Sequence, residues 1–206
     1  LKHTLELGTA YRGTALILGD VIDTIDGYTG IHSREVGDLS LALAGVLQLD
    51  AAHRRNVELA ALLHDVGKIR IPKEIINKPD KLNVLEWEIM RRHTTEGETM
   101  LWQVGGALSR VGRFVRSSHE RFDGQGYPDG LAGEAIPIES RIICVCDAYN
   151  AMTTDRSYRT ARPGSEALAE LLDCAGTQFD PRLVGAITGL LSATLHTSES
   201  PTIIRK

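Results

Sequence analysis

The side chains best suited to chemistry in this chain are histidines and acids. His64 and Asp65 stand side by side where the apolar run LAALLHDVGKIRIP, residues 59–72, would enter the core. Successive side chains on a helix point about 100 degrees apart, so one metal ion would use the pair awkwardly. Two ions would suit it: the carboxylate can bridge with its two oxygens while the neighbouring imidazole binds one ion from the side. Company comes from His32 in YTGIHSREV, His93 in MRRHTTEG, His119 in SSHERFDGQGYP and Asp147 in CVCDAYNAM. Asp147 falls inside the apolar run IICVCDAYNAM, where an unpaired carboxylate is costly to bury. A cation would relieve that cost, and so would a buried pair with an arginine such as Arg141 or Arg156. Without metals, His64 and Asp65 would be a core histidine and a capping aspartate, His93 an exposed helix-end residue favoured by the dipole, and His119 a loop histidine. His3, His53 and His196 lack such surroundings and read as surface residues.

Helices must position these groups. SREVGDLSLALAGVLQL places Val36, Leu39, Leu43, Val46 and Leu47 on one stripe, with His32 at its start, and NVELAALLHDV continues with Val57, Ala60, Ala61 and His64 in step. Further helices are predicted over 3–20, 83–93, 97–117, 137–153, 164–175 and 180–195. The last opens as FDPRLV, with Asp180 as N-cap and Pro181 in the first turn. No alternating strand pattern, internal repeat or low-complexity tract is present, so the predicted fold class is all-α. Two segments resist the helical reading. IRIPKEIINKPDKL has Pro72 and Pro79 flanking a short amphipathic piece, and the glycine-rich HERFDGQGYPDGLAGEAIP reads as a long, structured, functional loop. Gly67 reads as the residue that lets the backbone leave the helix in a left-handed conformation. Residues 1–196 are expected to form one domain, with 1–26 a lead helix continuing from an upstream segment, and 197–206 a loose tail.

Composition narrows the function. With 42% hydrophobic and 24% charged residues the chain is globular. A net charge of -4 argues against sequence-independent binding of duplex nucleic acid, so an anionic ligand must be met by local positive charge. No apolar run approaches the roughly 20 residues needed to span a bilayer. The opening at Leu1, with neither methionine nor signal-peptide pattern, reads as part of a longer protein. Cys144, Cys146 and Cys174 form neither an even disulfide framework nor a metal knuckle; they read as small buried apolar residues in a reducing, cytoplasmic compartment.

HDVGKIRIPKEIINKPDKLNVLEWEIMRRHTTEG, HERFDGQGYPDGLAGEAIPIESRI, CDAYNAMTTDRSYR and AGTQFDPRLV, in that order within residues 28–190, resemble the HD-GYP domain, a subgroup of the HD phosphohydrolase superfamily. The resemblance implies a compact multi-helix domain that holds two or three metals, often iron or manganese, and hydrolyses cyclic di-GMP to pGpG or GMP. On this chain's residues it implies His32, His64, Asp65 and Asp147 around one metal, with Asp65 bridging to a second held by His93 and His119. Lys68 would reach the scissile phosphate, making Asp65 and Lys68 the catalytic candidates. Arg156 and Arg159, three apart, would meet the ligand's phosphates, and Tyr127 of the Gly-Tyr-Pro loop would stack on or hydrogen-bond the guanine-bearing ligand. The family also suggests docking of GGDEF-type signalling proteins on that loop, and a dimer stays open.

The chain departs from the family pattern in places. Most relatives read HHE where this chain has Ser118, His119 and Glu120, so a serine replaces one expected ligand and a single metal becomes the alternative. Tyr28 stands where three-metal members carry a glutamate, which argues against a third metal. Asn150 replaces an aspartate that could position a water or transfer a proton, and Arg70 replaces a glycine. The expectation is a bimetallic cyclic di-GMP phosphodiesterase. The competing reading is a domain that keeps the fold but works as a cyclic di-GMP sensor or docking module, and hydrolysis of pGpG alone or of a nucleoside triphosphate would use the same metals.

Overall fold

The computed structural model describes residues 2–26, 31–155 and 160–198. Its helices are α1 (Lys2–Ile25), α2 (His32–Val46), α3 (Ala51–Leu63), α4 (Lys73–Ile76), α5 (Val84–Arg91), α6 (His93–Val104), α7 (Ala107–Arg116), α8 (Ile138–Thr153), α9 (Gly164–Asp173) and α10 (Pro181–Ser198), with 3-10 turns at Val66–Arg70 and Gly133–Ala135. Among the described residues there is no strand, only two isolated bridges, Asp123 with Ala132 and Ala175 with Phe179. The all-α expectation holds. No helix of the described residues is long and apolar enough to cross a membrane.

Local chemistry sets the helix ends. Asp50 caps α3 by accepting the Ala52 and His53 amides, each at 2.8 Å. Asn83 and Glu86 close a capping box on α5. Asp180 accepts the Arg182 amide at 2.9 Å and starts α10 where Pro181 was expected. The core runs between α2, α3 and α8: Val36, Leu43, Ala44, Val57, Ala60, Ala61, Ile142, Ile143 and Val145 are fully buried there. Helix α1 lies along α2 and α3, and buried Asp23 accepts the Ser33 amide at 3.0 Å and its hydroxyl at 2.6 Å, which pins the start of α2.

Several expectations are corrected. The helix expected over 97–117 is two helices, split at Gly105 and Gly106, whose φ values of 80° and 60° lie in the left-handed region; the first begins at His93, a single residue after α5 ends. Helix α10 runs on to Ser198. Val46 is half-exposed, because it ends α2 where the chain turns away through Gln48 at φ 55°. Of the cysteines only Cys146 is buried; Cys144 falls off the buried face of α8, and Cys174 caps α9. Gly67 does not turn left-handed. It lies in the 3-10 turn where α6 presses against it, and a Cβ there would meet the His93 carbonyl oxygen at 1.9 Å and the Gly97 nitrogen at 2.5 Å.

Candidate metal centre

Separate elements deliver one polar cavity. His32 comes from the first turn of α2, His64 from the end of α3, Asp65 from the start of the 3-10 turn, His93 from the first turn of α6, His119 from the loop after α7, and Asp147 from the middle of α8. They assemble into two groups that could hold metal ions: His32, His64 and Asp147, and Asp65, His93 and His119, the ligand atoms of each lying within 4.8 Å of one another. Asp65 joins them. Its Oδ2 lies 3.3 Å from His64 Nε2 and its Oδ1 3.5 Å from His93 Nε2. The change from α-helix to 3-10 turn between the two residues aims the neighbours at different groups.

The imidazoles are oriented from behind. His64 Nδ1 lies 2.8 Å from the Ala61 carbonyl oxygen and His93 Nδ1 2.7 Å from that of Met90. A carbonyl only accepts, so Nδ1 keeps a proton and Nε2 is the atom turned to the cavity. His32 Nδ1 lies 2.7 Å from Asn150 Oδ1, while Asn150 Nδ2 donates to Glu35 at 2.7 Å. The Glu35 carboxylate fixes which way the amide faces, and the amide oxygen then fixes the His32 tautomer. His119 is held by stacking on Tyr127, with centroids 5.2 Å apart and planes 14° from parallel.

Donor chemistry and electrostatics fit divalent ions. The buried atoms Asp65 Oδ1, His93 Nε2 and His119 Nε2 have no hydrogen-bond partner, a cost that a cation would remove. Burial keeps His119 neutral, down to about 3, and lowers His93 in the same direction, so both offer lone pairs at neutral pH. In the other group burial opposes charging, yet Asp65 and Asp147 outweigh it and raise His64 to about 9, and the hydrogen bond to Asp147 raises His32. Burial likewise resists ionisation of Asp147, but His32 and His64 hold it well below the usual carboxylate range. Protons here neutralise two carboxylates, the role a divalent ion would take over.

The remaining expected residues fall as follows. Lys68 lines the cavity and donates to Asp65 Oδ2 at 2.8 Å and Asp26 Oδ2 at 2.9 Å; burial disfavours its charge, but those carboxylates raise its pKa. Tyr127 also lines the cavity, its phenol pushed up by burial. Ser118 is buried and gives its hydroxyl to the Val115 carbonyl at 2.8 Å, turned to the backbone and not to a ligand position. Arg70 is exposed and paired with Glu96 at 2.7 Å. Asp147 faces histidines, since Arg141 is taken by Asp180 at 2.7 Å. Arg156, Arg159 and Tyr28 lie outside the described residues.

Sequence reasoning missed the supports. Asn150 was read only as a lost acid, and Asp23, Asp26 and Glu35 were not singled out. Neither was the role of Glu120, which is buried and accepts the amides of Asp129 at 2.7 Å and Leu131 at 3.1 Å, folding the loop back so that the Tyr127 amide reaches the His119 carbonyl at 3.2 Å. A glutamate at the head of a glycine-rich loop, where backbone amides need acceptors, was the available signal.

The chain resembles known proteins in sequence and in fold. A family model described as HD domain matches residues 19–183. The chain belongs to the HD domain family. The Xanthomonas campestris cyclic di-GMP phosphodiesterase response regulator RpfG is 40% identical to this HD domain over 177 residues, 85% of the chain and 47% of the relative. A Vibrio cholerae 3'3'-cGAMP-specific phosphodiesterase is 39% identical over 159 residues, 77% of the chain and 36% of the relative. The chain thus spans less than half the length of either. The crystal structure of a Vibrio cholerae cyclic GMP-AMP specific phosphodiesterase superposes on the HD domain with a TM-score of 0.67 at 20% identity, covering 92% of this chain and 51% of that one.

Proposed function

We propose that this HD domain is a metal-dependent phosphodiesterase that opens a cyclic dinucleotide, with cyclic di-GMP as substrate and pGpG or GMP as product. The observation that carries the reading is Asp65, whose two oxygens face two separate imidazole groups across a cavity of about 330 Å³. The similarity to relatives named for cyclic di-GMP and cGAMP supports the substrate class. His32, His64 and Asp147 would hold one divalent ion and His93 and His119 a second, with Asp65 shared and iron or manganese as the ions. Such ions acidify water and neutralise phosphoryl charge. The chain's own contribution is to hold four imidazoles with Nε2 inward, to keep His93 and His119 neutral, and to place the Lys68 ammonium beside Asp65, where it would bind a nonbridging phosphate oxygen. Arg156 and Arg159 would add positive charge for the phosphates. Since Ser118 is committed to a backbone carbonyl, three protein groups, Asp65, His93 and His119, would serve the second ion.

The test joins metal content to turnover. Protein purified without oxygen is analysed for bound metal and incubated with cyclic di-GMP and cGAMP beside an Asp65→Ala control. Two ions per chain, with product that the control abolishes, are expected. One ion or none, with ligand bound but no product after reconstitution with iron or manganese, would leave a sensor instead.

A further inference from the structure

The wall of the cavity beyond the histidines carries an arrangement that metal binding does not use. Helices α4 and α5 bury none of their residues, yet Ile76, Trp87 and Met90 from them, with Leu82 between, line the same cavity as Asp65 and His119. Trp87 leaves 46% of its surface exposed at that edge. Arg91, one turn further on, sets its guanidinium 6.0 Å from the Trp87 ring and 5.2 Å from the Tyr127 ring. Tyr127 in turn stacks on His119. A ladder of planar groups therefore runs from the second histidine group out to solvent. Arg91 makes no ion pair among the described residues, so its charge is free for a ligand.

We propose that Trp87 and Arg91 form a purine subsite: one base of the dinucleotide stacks on the Trp87 indole while Arg91, steadied by cation–π contact with both rings, meets the adjoining phosphate. The assignment rests on the phosphodiesterase reading of the same cavity. The chemistry selects a nucleotide over simpler ligands. Free phosphate would gain nothing from an exposed indole, and an uncharged apolar molecule would gain nothing from an unpaired guanidinium beside it. Trp87 is also well placed to discriminate, because stacking responds to the size of the base and a purine offers more face than a pyrimidine.

The chain has two tryptophans, so Trp102→Phe leaves Trp87 as its sole indole reporter. In that background cyclic di-GMP should quench the fluorescence, whereas ribose 5-phosphate, which lacks a base, should not. Trp87→Ala in the metal-loaded enzyme should raise KM for cyclic di-GMP roughly tenfold or more with kcat within about twofold, Trp87→Phe should recover most of that loss, and Arg91→Ala should raise KM likewise. Thermal melting checks that each variant folds, and since α5 buries no side chain, it should. An active parent whose KM is unmoved by Trp87→Ala and Arg91→Ala, or whose Trp87 emission ignores the ligand, overturns the subsite and leaves the phosphodiesterase reading intact. A parent that neither binds nor hydrolyses cyclic di-GMP overturns both.

Discussion

Asn150 offers the sharpest test of how the site is held. It is 7% exposed and bridges buried His32 to Glu35 through two contacts of 2.7 Å. Asn150→Leu keeps the branching and the number of heavy atoms and removes both. The Glu35 carboxylate is exposed, so water replaces that partner at little cost. His32 is 2% exposed and water does not take the place of the Asn150 oxygen, so loss of that hydrogen bond should cost about 1–3 kcal/mol. For a domain of this size that is a fall in Tm of roughly 3–10 °C. Freed from its acceptor, the ring can rotate or change tautomer, and loss of such a supporting hydrogen bond typically weakens metal affinity about 10- to 100-fold.

Asn150→Asp separates orientation from charge. Aspartate still accepts from His32 but sets a second carboxylate within hydrogen-bonding range of Glu35, so the single variant should be destabilised and the pair Asn150→Asp with Glu35→Gln should recover, because glutamine donates where glutamate repels. The assays are melting of the metal-free protein, manganese titration by calorimetry, and nitrogen chemical shifts of the His32 ring. A parent with His32 protonated on Nε2 alone, or an Asn150→Leu protein that melts and binds manganese as the parent does, would refute the reasoning.

Other perturbations follow from the same contacts. Glu120→Gln can accept only one of the two loop amides and turns an NH2 toward the other; the loop around Tyr127 should loosen, seen as faster amide exchange at Asp129 and Leu131 and weaker metal binding through His119. Gly67→Ala forces a methyl into the backbone of α6, which cannot yield as a side chain would; a loss of about 3 kcal/mol on melting, with weakened metal binding as His93 shifts, is expected. Asp180→Asn strands Arg141 in the core at about 3–5 kcal/mol near neutral pH. Burial resists ionisation of Asp180, but Arg182 and Arg141 outweigh it and hold its pKa below 3.8, so the pair stabilises above that pH and its contribution fades as pH falls further. The gap in Tm between parent and variant should therefore narrow in acid melts taken below about pH 4.

Much of this was legible in the chain because it depended on residue type and helical period. The stripes in α2 and α3 and the pairing of Asp180 with Pro181 are local signals, and they held except at Val46, where α2 ends. The grouping of histidines came from the resemblance to HD-GYP domains; residue chemistry alone said only that Asp147, in an apolar run, needs a partner, and left that partner open between a cation and an arginine. What escaped was set by contacts between distant segments. Gly67 looked like a turn residue because a glycine after a helix usually is one; only the approach of α6 shows that it is needed for space. Asn150 looked like a lost acid because Glu35, 115 residues away, cannot be seen beside it in sequence. Trp87 and Arg91 were not singled out within the helix expected over 83–93; only the cavity that Trp87 lines and the approach of Arg91 to the Trp87 and Tyr127 rings show which face they serve.

The placement of the histidines at helix ends has a common cause. A helix leaves its last carbonyls without intrahelical partners, and these are the acceptors a ring Nδ1–H needs. His64 follows α3 directly and bonds the Ala61 carbonyl; His93 lies just past α5 and bonds the Met90 carbonyl. Each helix thus satisfies one terminal carbonyl and fixes one tautomer in a single contact. In mid-helix the same residues would find those carbonyls already engaged, and Nδ1 would need a side-chain acceptor. His32, in the first turn of α2 where no terminal carbonyl is at hand, is the case that needs one, and it is the histidine that Asn150 serves. Asn150 therefore replaces, for a helix start, what the chain termini of α3 and α5 provide for free at their ends. This is why its loss should be felt at His32 and at neither His64 nor His93.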